Sequence, residues 1–421
     1  MTSEPDEAFV WTWLPGAEEP VVAGRLELVG GVVVFNYGRS YLSRKEAIPL
    51  YMPELPLRPG TISPIGGLTI PGCIRDAGPD AWGQRVIMQH LLGAGAKDGD
   101  PAAFGPLTYL LRSGSDRIGA LDFQESADNY VSRDETTARL EVLMEAADRV
   151  AGGQPLSPAL DLALLHGSSV GGARPKALLR GDGGDLIAKF SSSTDTYRIV
   201  KGEFAAMELA RRAGLNVAGV ELVEIIGRDV LLVQRFDRTQ GVEQRRALVS
   251  ALTILGLDEM MARYASYAEL AQVVRERFTD ARSTLRELFA RITFNILTGN
   301  SDDHARNHAA FWDGEWLTLT PAYDICPQPR AGGETSQAMI IGLDGFRMSQ
   351  LAGCVERAET YMLTEGDARE LIDNQVAVIT REWTEVCDVA QMTELDRSFF
   401  WRRQFLNPYA FEGYSEIQVY S

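Results

Sequence analysis

A nine-residue segment, GNSDDHARN at 299–307, places two carboxylates, two amides and a histidine in one short connection. Asp302 and Asn307 stand five residues apart, which is the offset of the aspartate and asparagine in the catalytic loop of protein kinases. In phosphoryl transfer from ATP, such an aspartate accepts the proton of the attacking hydroxyl and the asparagine holds Mg²⁺. Asp303 has an offset of only four. We therefore predict Asp302 and Asn307 as the catalytic residues.

A second metal ligand is predicted at Asp324, an isolated carboxylate in the apolar segment PAYDIC. Mg²⁺ prefers octahedral oxygen ligands and is usually held by one or two protein carboxylates together with waters and phosphates. The predicted metal ligands are therefore Asn307 and Asp324, and the predicted cofactors are ATP and Mg²⁺.

Residues upstream could hold the nucleotide. Lys189 lies near the end of the β-like run LIAKF, where a lysine could reach the ATP phosphates, and Glu203 on the next predicted helix could pair with it. The stretch GSSVGGARPK at 167–176 offers backbone N–H groups that suit a loop over phosphates. It is not a Walker loop, because Ala173 stands where that motif needs lysine. The predicted cofactor-binding residues of this loop are Ser169, Val170, Gly171 and Gly172.

Each feature also has a simpler explanation. A strand lysine is commonly a solvated edge residue, and glycine-rich turns are mostly only turns. His304 and His308 could share a helix face as zinc ligands, but Ala305 stands where a zinc hydrolase carries glutamate, and a third ligand is not evident. We expect His304 to orient the loop at the nucleotide site and His308 to pack at the start of the next strand.

Composition limits the class of protein. The chain has 421 residues, of which 45% are hydrophobic, enough for two or three domains. An acidic N-terminus and the lack of a long apolar run argue against a signal peptide or membrane helix, so we expect a cytoplasmic protein. Four dispersed cysteines without CxxC spacing argue against zinc sites and disulfides. A formal charge of -17 disfavours direct nucleic-acid binding, although a basic partner could bring the chain to DNA.

The elements that must position these residues can be read from periodicity. RLELVGGVVVFNY at 25–37 predicts a hairpin turning at Gly30-Gly31, and the segment around 82–92 predicts a helix ended by Gly93. Two β-like runs flank GDGG, a helix carries Glu203, and two more strands end near 236. From there the sequence looks helical almost without interruption to the C-terminus. STLRELFARITFNILT, directly before GNSDDHARN, predicts a helix.

Taken in chain order, the motifs described above resemble those of the HipA family, serine/threonine kinases that act as toxins of bacterial toxin–antitoxin modules. The matching segments are SSVGGARPK, LIAKF, VQRFDR, GNSDDHARN and AYDICP, together with SDRIGAL at 115–121. The resemblance implies an α+β fold: a kinase-like, two-lobed structure with an N-terminal β-rich subdomain and a mostly helical C-terminal lobe. The corresponding domain bounds are 1–128, 135–238 and 239–421.

The resemblance also assigns roles. It implies that Asp302 is the catalytic base, that Lys189 binds phosphates, and that Gln234, Arg235 and Phe236 hold the adenine. Family members autophosphorylate a serine of the glycine-rich loop, here Ser169 or its neighbour Ser168. The implied partners are a HipB-like DNA-binding antitoxin and a protein substrate such as an aminoacyl-tRNA synthetase.

Two other functions remain open from the sequence. A small-molecule kinase of the aminoglycoside or choline type shares the Asp/Asn loop but usually reads His-Gly-Asp before it. A non-catalytic co-repressor subunit of an antitoxin–DNA complex would bind its partner without turnover.

Overall fold

The structure is a computed structural model that describes residues 4–93, 100–133, 140–152, 154, 156–157, 160, 174–181, 184–192, 195–330 and 332–414. The chain divides into two compact units. The first comprises Met1–Ser193, Val223–Val249 and Phe311–Glu315, and the second comprises Thr194–Leu222, Ser250–Ala310 and Trp316–Ser421. Each unit is described by itself below.

The first unit begins with an antiparallel five-stranded sheet in the order β4-β3-β2-β1-β5. Its strands are β1 (Glu7–Thr12), β2 (Val21–Val29), β3 (Val32–Tyr37), β4 (Thr61–Ile62) and β5 (Leu121–Gln124). Gly30 and Gly31 connect β2 to β3 with φ of 60° and 83°, values that favour glycine. The predicted hairpin is confirmed.

The described residues of this unit contain five helices: α1 (Arg39–Leu42), α2 (Gly72–Asp76), α3 (Ala81–Leu92), α4 (Pro106–Arg112) and α5 (Leu140–Ala151). A short 3₁₀ turn covers Pro101–Ala103. Asp80 caps the N-terminus of α3 by accepting from the backbone N–H of Gly83, and Gly93 ends the helix, as predicted.

A second sheet runs in the order β6-β7-β9-β8. Its strands are β6 (Lys176–Gly181), β7 (Gly184–Phe190), β8 (Val220–Ile225) and β9 (Arg228–Gln234). Helices α3 and α5 cover this sheet, because Trp82 and Val86 of α3 and Leu143 of α5 form one buried cluster with Phe190 and Val230. Burial of these apolar side chains fixes the strands on which Lys189 and Gln234 stand.

The second unit is mostly helical. Its helices are α6 (Ile199–Arg212), α7 (Ala251–Ile254), α8 (Tyr267–Arg277), α9 (Ala281–Thr298), α10 (Leu351–Val355), α11 (Glu365–Val389) and α12 (Glu394–Phe400). Helix α9 packs against α8 and α11, and α11 packs against α6. One short strand, β12 (Leu317–Leu319), lies in this unit, whereas β10 (Leu248–Ser250) and β11 (Ala309–Trp312) each include residues of both units. In the second unit, 3₁₀ turns cover Ala262–Tyr264, Ala305–Asn307, Ala358–Tyr361 and Pro408–Phe411.

The C-terminal part is less continuous than the sequence suggested. Residues 320–350 are described apart from residue 331, and they contain no helix. The expectation of nearly uninterrupted helix is wrong there, because this segment is held by side-chain and backbone hydrogen bonds, such as Ala338 N to Ser301 O, instead of helical repeats. None of the helices in the described residues combines the length and apolar composition that crossing a bilayer requires. All four cysteines are buried free thiols.

Candidate active site

Helix α9 leads directly into the GNSDDHARN segment. Asp280 caps its start by accepting from Ser283 N at 3.0 Å, and Gly299 ends it with φ of 71°. A Cβ on Gly299 would lie 2.9 Å from backbone atoms of Gln404, so both the dihedral angle and the space require glycine. The direction in which the loop leaves the helix is therefore fixed locally.

The two adjacent carboxylates of the loop have opposite surroundings. Asp302 is exposed, and no hydrogen bond or ion pair joins its side chain to other described residues. Asp303 is buried, 3% exposed, and accepts from the Tyr267 hydroxyl and from Asn295 Nδ2 at 2.6 Å. His308 Nε2 lies 3.0 and 3.1 Å from the two Asp303 oxygens. Asp303 is thus committed to the interior, whereas Asp302 is available to a reactant.

Asn307 is placed by the turn that joins it to Asp302. Its backbone N–H donates to His304 O at 2.8 Å within the 3₁₀ turn Ala305–Asn307, and its Nδ2 donates to Asp302 O at 3.4 Å. In this orientation the Oδ1 atom of Asn307 has no hydrogen-bond partner among the described residues. An amide oxygen in this state suits a hard cation such as Mg²⁺.

His304 and His308 do not share a helix face, because they flank a single 3₁₀ turn. His304 is half-buried, and His308 Nε2 contacts Asp303. His308 Nδ1 is buried without a hydrogen-bond partner among the described residues, so we expect the ring proton on Nε2. Among the described residues, no group of three or more His, Cys, Asp or Glu side chains could hold a metal, and the zinc hypothesis gains no support.

Asp324 is tied to the same network. Its φ is 61°, a left-handed conformation that costs a non-glycine residue about 1 kcal/mol. Asn300 Nδ2 donates to Asp324 O at 3.4 Å and to Asn295 Oδ1 at 3.0 Å, and Asn295 in turn donates to Asp303. The neighbouring Tyr323 hydroxyl donates to Arg306 O in the loop at 2.7 Å. Backbone strain held by surrounding bonds is characteristic of functional sites.

A buried arginine supports the approach to Asp324. Arg291 of α9 is 1% exposed; its Nη2 donates to Thr320 O at 2.8 Å and to Asn216 O at 3.2 Å, and its Nε pairs with Glu287. Burial lowers the pKa of the Arg291 guanidinium, and Glu287 opposes that shift. Arg291 therefore anchors the strand end that leads into PAYDIC.

The predicted nucleotide residues of the first unit stand on the second sheet. Lys189 is half-buried on β7, between β6 and β9, and faces Leu231 in register. Gln234 ends β9, and the Phe236 ring meets Phe311 edge-on. Ser168, Ser169, Val170, Gly171 and Gly172 lie outside the described residues. Glu203 is buried on α6, in the second unit, and its pairing with Lys189 stays a prediction.

Arg235 differs from its two neighbours. Its guanidinium is fully buried, with Nη1 donating to Asp116 Oδ1 at 2.7 Å, Nε and Nη2 to the Asp237 carboxylate at 3.0 and 2.8 Å, and Nη2 also to Arg117 O at 2.7 Å. Its backbone N–H donates to Asp185 O. The side chain and the backbone N–H of Arg235 are therefore both used to hold the protein together.

Two carboxylates in this cluster are strongly perturbed. Burial alone would raise the pKa of Asp116 and Asp237, but the adjacent Arg235 and Arg238 guanidiniums outweigh it. The pKa of Asp237 falls to about 2, and that of Asp116 falls further below its ordinary value. Both side chains are therefore ionised in the folded protein.

Comparison with protein families identifies the chain. The family described as "HipA-like C-terminal domain" matches residues 168–383, just over half of the chain, and "HipA N-terminal domain" matches residues 19–124. The chain belongs to the HipA family.

Individual HipA relatives agree with this membership. The serine/threonine-protein kinase toxin HipA of Shewanella oneidensis is 27% identical over 183 residues, which cover 37% of this chain and 42% of that protein. Alignments with four curated relatives span between 33% and 57% of those proteins.

A solved structure supports the fold. HipA in the complex of HipA, HipB and operator DNA from Shewanella oneidensis matches with a TM-score of 0.69 at 19% identity, covering 96% of this chain and 97% of that one. The predicted α+β fold, with a β-rich N-terminal part and a mostly helical C-terminal part, is confirmed.

The sequence indicated the polar residues of the loop but not the side chains that support them. Tyr267 and Asn295 lie 36 and 8 positions before Asp303, on α8 and α9, and both read as ordinary helix positions. The one available signal was the Asp-Asp pair itself, since two adjacent carboxylates rarely share one environment. Spacing alone gave no indication that Asp116 and Arg235 are partners.

Proposed function

We propose that this protein is an ATP-dependent serine/threonine protein kinase that acts as the toxin of a bacterial toxin–antitoxin module. The main support is the contrast within the loop, where Asp302 is exposed and unpaired five residues before an asparagine whose Oδ1 is open. The names of the relatives and the match of the N-terminal part to a HipA domain favour this class over an aminoglycoside- or choline-type kinase.

In this proposal the residues of the second unit perform the transfer. Asp302 orients the serine or threonine hydroxyl and accepts its proton as the oxygen attacks the γ-phosphorus of ATP. Asn307 and Asp324 supply oxygen ligands for Mg²⁺, which would neutralise the phosphate charge. Two protein ligands are enough, because phosphates and waters complete the coordination. His304 holds the turn from which Asn307 projects.

The residues of the first unit bind the nucleotide. Lys189 binds phosphate oxygens, and Gln234 and Phe236 with the Arg235 carbonyl hold the adenine. Glu203 is proposed to orient the lysine, as in other kinases.

The domain bounds 1–128, 135–238 and 239–421 stay a prediction, as does a cytoplasmic location.

Autophosphorylation of Ser169, or of the adjacent Ser168, would silence the enzyme. A phosphate adds nearly two negative charges beside a site built for ATP phosphates. Mass spectrometry of the protein incubated with Mg·ATP tests this proposal together with the catalytic assignment. We expect phosphate on one of the two serines in the wild type.

The matched variants are Asp302→Asn and Glu221→Gln, which each remove one exposed carboxylate. We expect Asp302→Asn to slow phosphate incorporation about 100- to 10,000-fold and Glu221→Gln to leave it unchanged. Wild-type turnover by Asp302→Asn would refute the base assignment. ATP binding without phosphate on any protein would favour the co-repressor role.

The proposed partners are a HipB-like DNA-binding antitoxin and a protein substrate such as an aminoacyl-tRNA synthetase. A charge of -17 opposes direct contact with phosphate backbones, so the antitoxin would carry the complex to DNA. We expect that the purified chain alone does not shift operator DNA in a gel at physiological salt. A shift that persists there would contradict the proposal.

A further inference from the structure

Two segments that the family resemblance singled out, SDRIGAL at 115–121 and VQRFDR at 233–238, contact each other inside the first unit. Asp116 Oδ1 accepts from Arg235 Nη1 at 2.7 Å and from Arg238 Nη2 at 2.8 Å. Arg117 O accepts from Arg235 Nη2 at 2.7 Å and from Arg238 Nη2 at 2.5 Å. One short loop of the N-terminal β-rich part therefore holds both arginines.

The contact is reciprocal at the next residues. Gly119 N donates to Asp237 Oδ2 at 2.7 Å, and Arg238 Nη1 donates to Gly119 O at 3.0 Å. Gly119 has φ of 79°, so the loop turns there in a conformation that favours glycine. Arg245 extends the cluster by donating to Ser115 O at 2.7 Å. Every residue from 235 to 238 except Phe236 is thus held through its side chain.

A buried cluster of ion pairs is not the most favourable way to stabilise a protein core. Burying charged groups removes them from water, and apolar residues of similar volume often stabilise a protein as well or better. Planar carboxylate–guanidinium pairs differ from apolar contacts in fixing distance and orientation. What the cluster gains over an apolar core is a defined backbone path through residues 234–238.

We propose that Asp116 is a positioning residue for nucleotide binding: through Arg235 and Arg238, the 115–119 loop fixes the backbone at 234–238 against which the adenine is held. The inference rests on the proposed function, because it assigns the adenine to Gln234, Arg235 and Phe236. It gives the N-terminal β-rich part a direct role in setting nucleotide affinity.

The test compares Asp116→Asn with Glu54→Gln in the full-length protein. Glu54 is a matched control, since its carboxylate is also buried in the first unit, 1% exposed, but accepts from Gly72 N and Cys73 N. Titration calorimetry would measure binding of Mg·ADP and of Mg·tripolyphosphate, and steady-state assays would separate KM for ATP from kcat.

We expect Asp116→Asn to weaken Mg·ADP binding about tenfold and to raise KM for ATP similarly, with tripolyphosphate affinity and kcat within twofold of wild type. A merely structural role would reduce the active fraction and leave the dissociation constants unchanged. Unchanged Mg·ADP affinity in Asp116→Asn, or an equal loss in Glu54→Gln, would overturn the proposal.

Amide hydrogen exchange over residues 235–238 gives a readout that does not depend on nucleotide. We expect faster exchange there in Asp116→Asn and an exchange rate equal to that of the wild type in Glu54→Gln. Equal exchange in wild type and Asp116→Asn would overturn the positioning role. Failure of the wild type to bind Mg·ADP would instead refute the proposed function. If Asp116→Asn does not fold, Arg238→Gln at the less buried end of the cluster replaces it, with the same expected direction.

Discussion

Asp303 in the second unit and Asp116 in the first are both buried carboxylates, but different groups compensate their charges. Asp303 is surrounded by the hydroxyl of Tyr267, the amide of Asn295 and the ring of His308. Asp116 is paired with Arg235 and Arg238, and arginines lower its pKa despite burial.

The difference corresponds to what each region must hold. A hydroxyl, an amide and an imidazole fix Asp303 next to Asp302, where a catalytic proton transfer is proposed. Arginines fix the 115–119 loop to residues 235–238, where the carboxylates and guanidiniums are buried away from solvent.

The largest expected effect is at Asp303. Asp303→Ala leaves Tyr267, Asn295 and His308 without their shared acceptor in the interior, and we expect it to lower the free energy of unfolding by roughly 3–5 kcal/mol. Asp302→Ala, one residue away, should change it little because that side chain is exposed. Urea denaturation of both variants measures the difference, and equal stabilities would show that Asp303 is not the anchor of the loop.

The arginine cluster should show its charge through pH. Because the folded pKa of Asp237 is about 2, below its unfolded value, its contribution is present above about pH 4 and is lost as pH falls through 2. The gap in unfolding free energy between wild type and Asp237→Asn should therefore shrink by roughly 2 kcal/mol over that interval. A gap that stays constant between about pH 6 and about pH 2 would mean that the arginines do not hold Asp237 ionised.

A smaller effect is expected from one hydroxyl of the neutral cluster. Tyr267→Phe removes a donor to Asp303 and keeps the ring against His308, so we expect a loss of about 1–2 kcal/mol in unfolding free energy. Asn295 and His308 still hold the carboxylate in this variant. A loss as large as that of Asp303→Ala would show that the three donors act as a single unit, and no loss would remove Tyr267 from the network.

Much of the fold could be predicted from the sequence because local signals agreed. The Gly30-Gly31 hairpin and the Gly93 helix end follow from glycine conformations that few other residues adopt. Helix α9 began at Ala281, two residues before the predicted start, because Asp280 caps it. The long irregular segment at 320–350 could not be predicted, since contacts with distant residues hold it in place of a local repeat.

The candidate site divides in the same way. Asp302, Asn307 and Asp324 could be selected from the sequence by residue type and spacing, because the proposed phosphoryl transfer needs a base and oxygen ligands in a recognisable order. Tertiary structure alone decided that Asp302 faces solvent while Asp303 is buried, and that the Arg235 side chain pairs with Asp116. Burial and partner choice depend on residues more than 100 positions apart in the second case, and no spacing rule reaches that far.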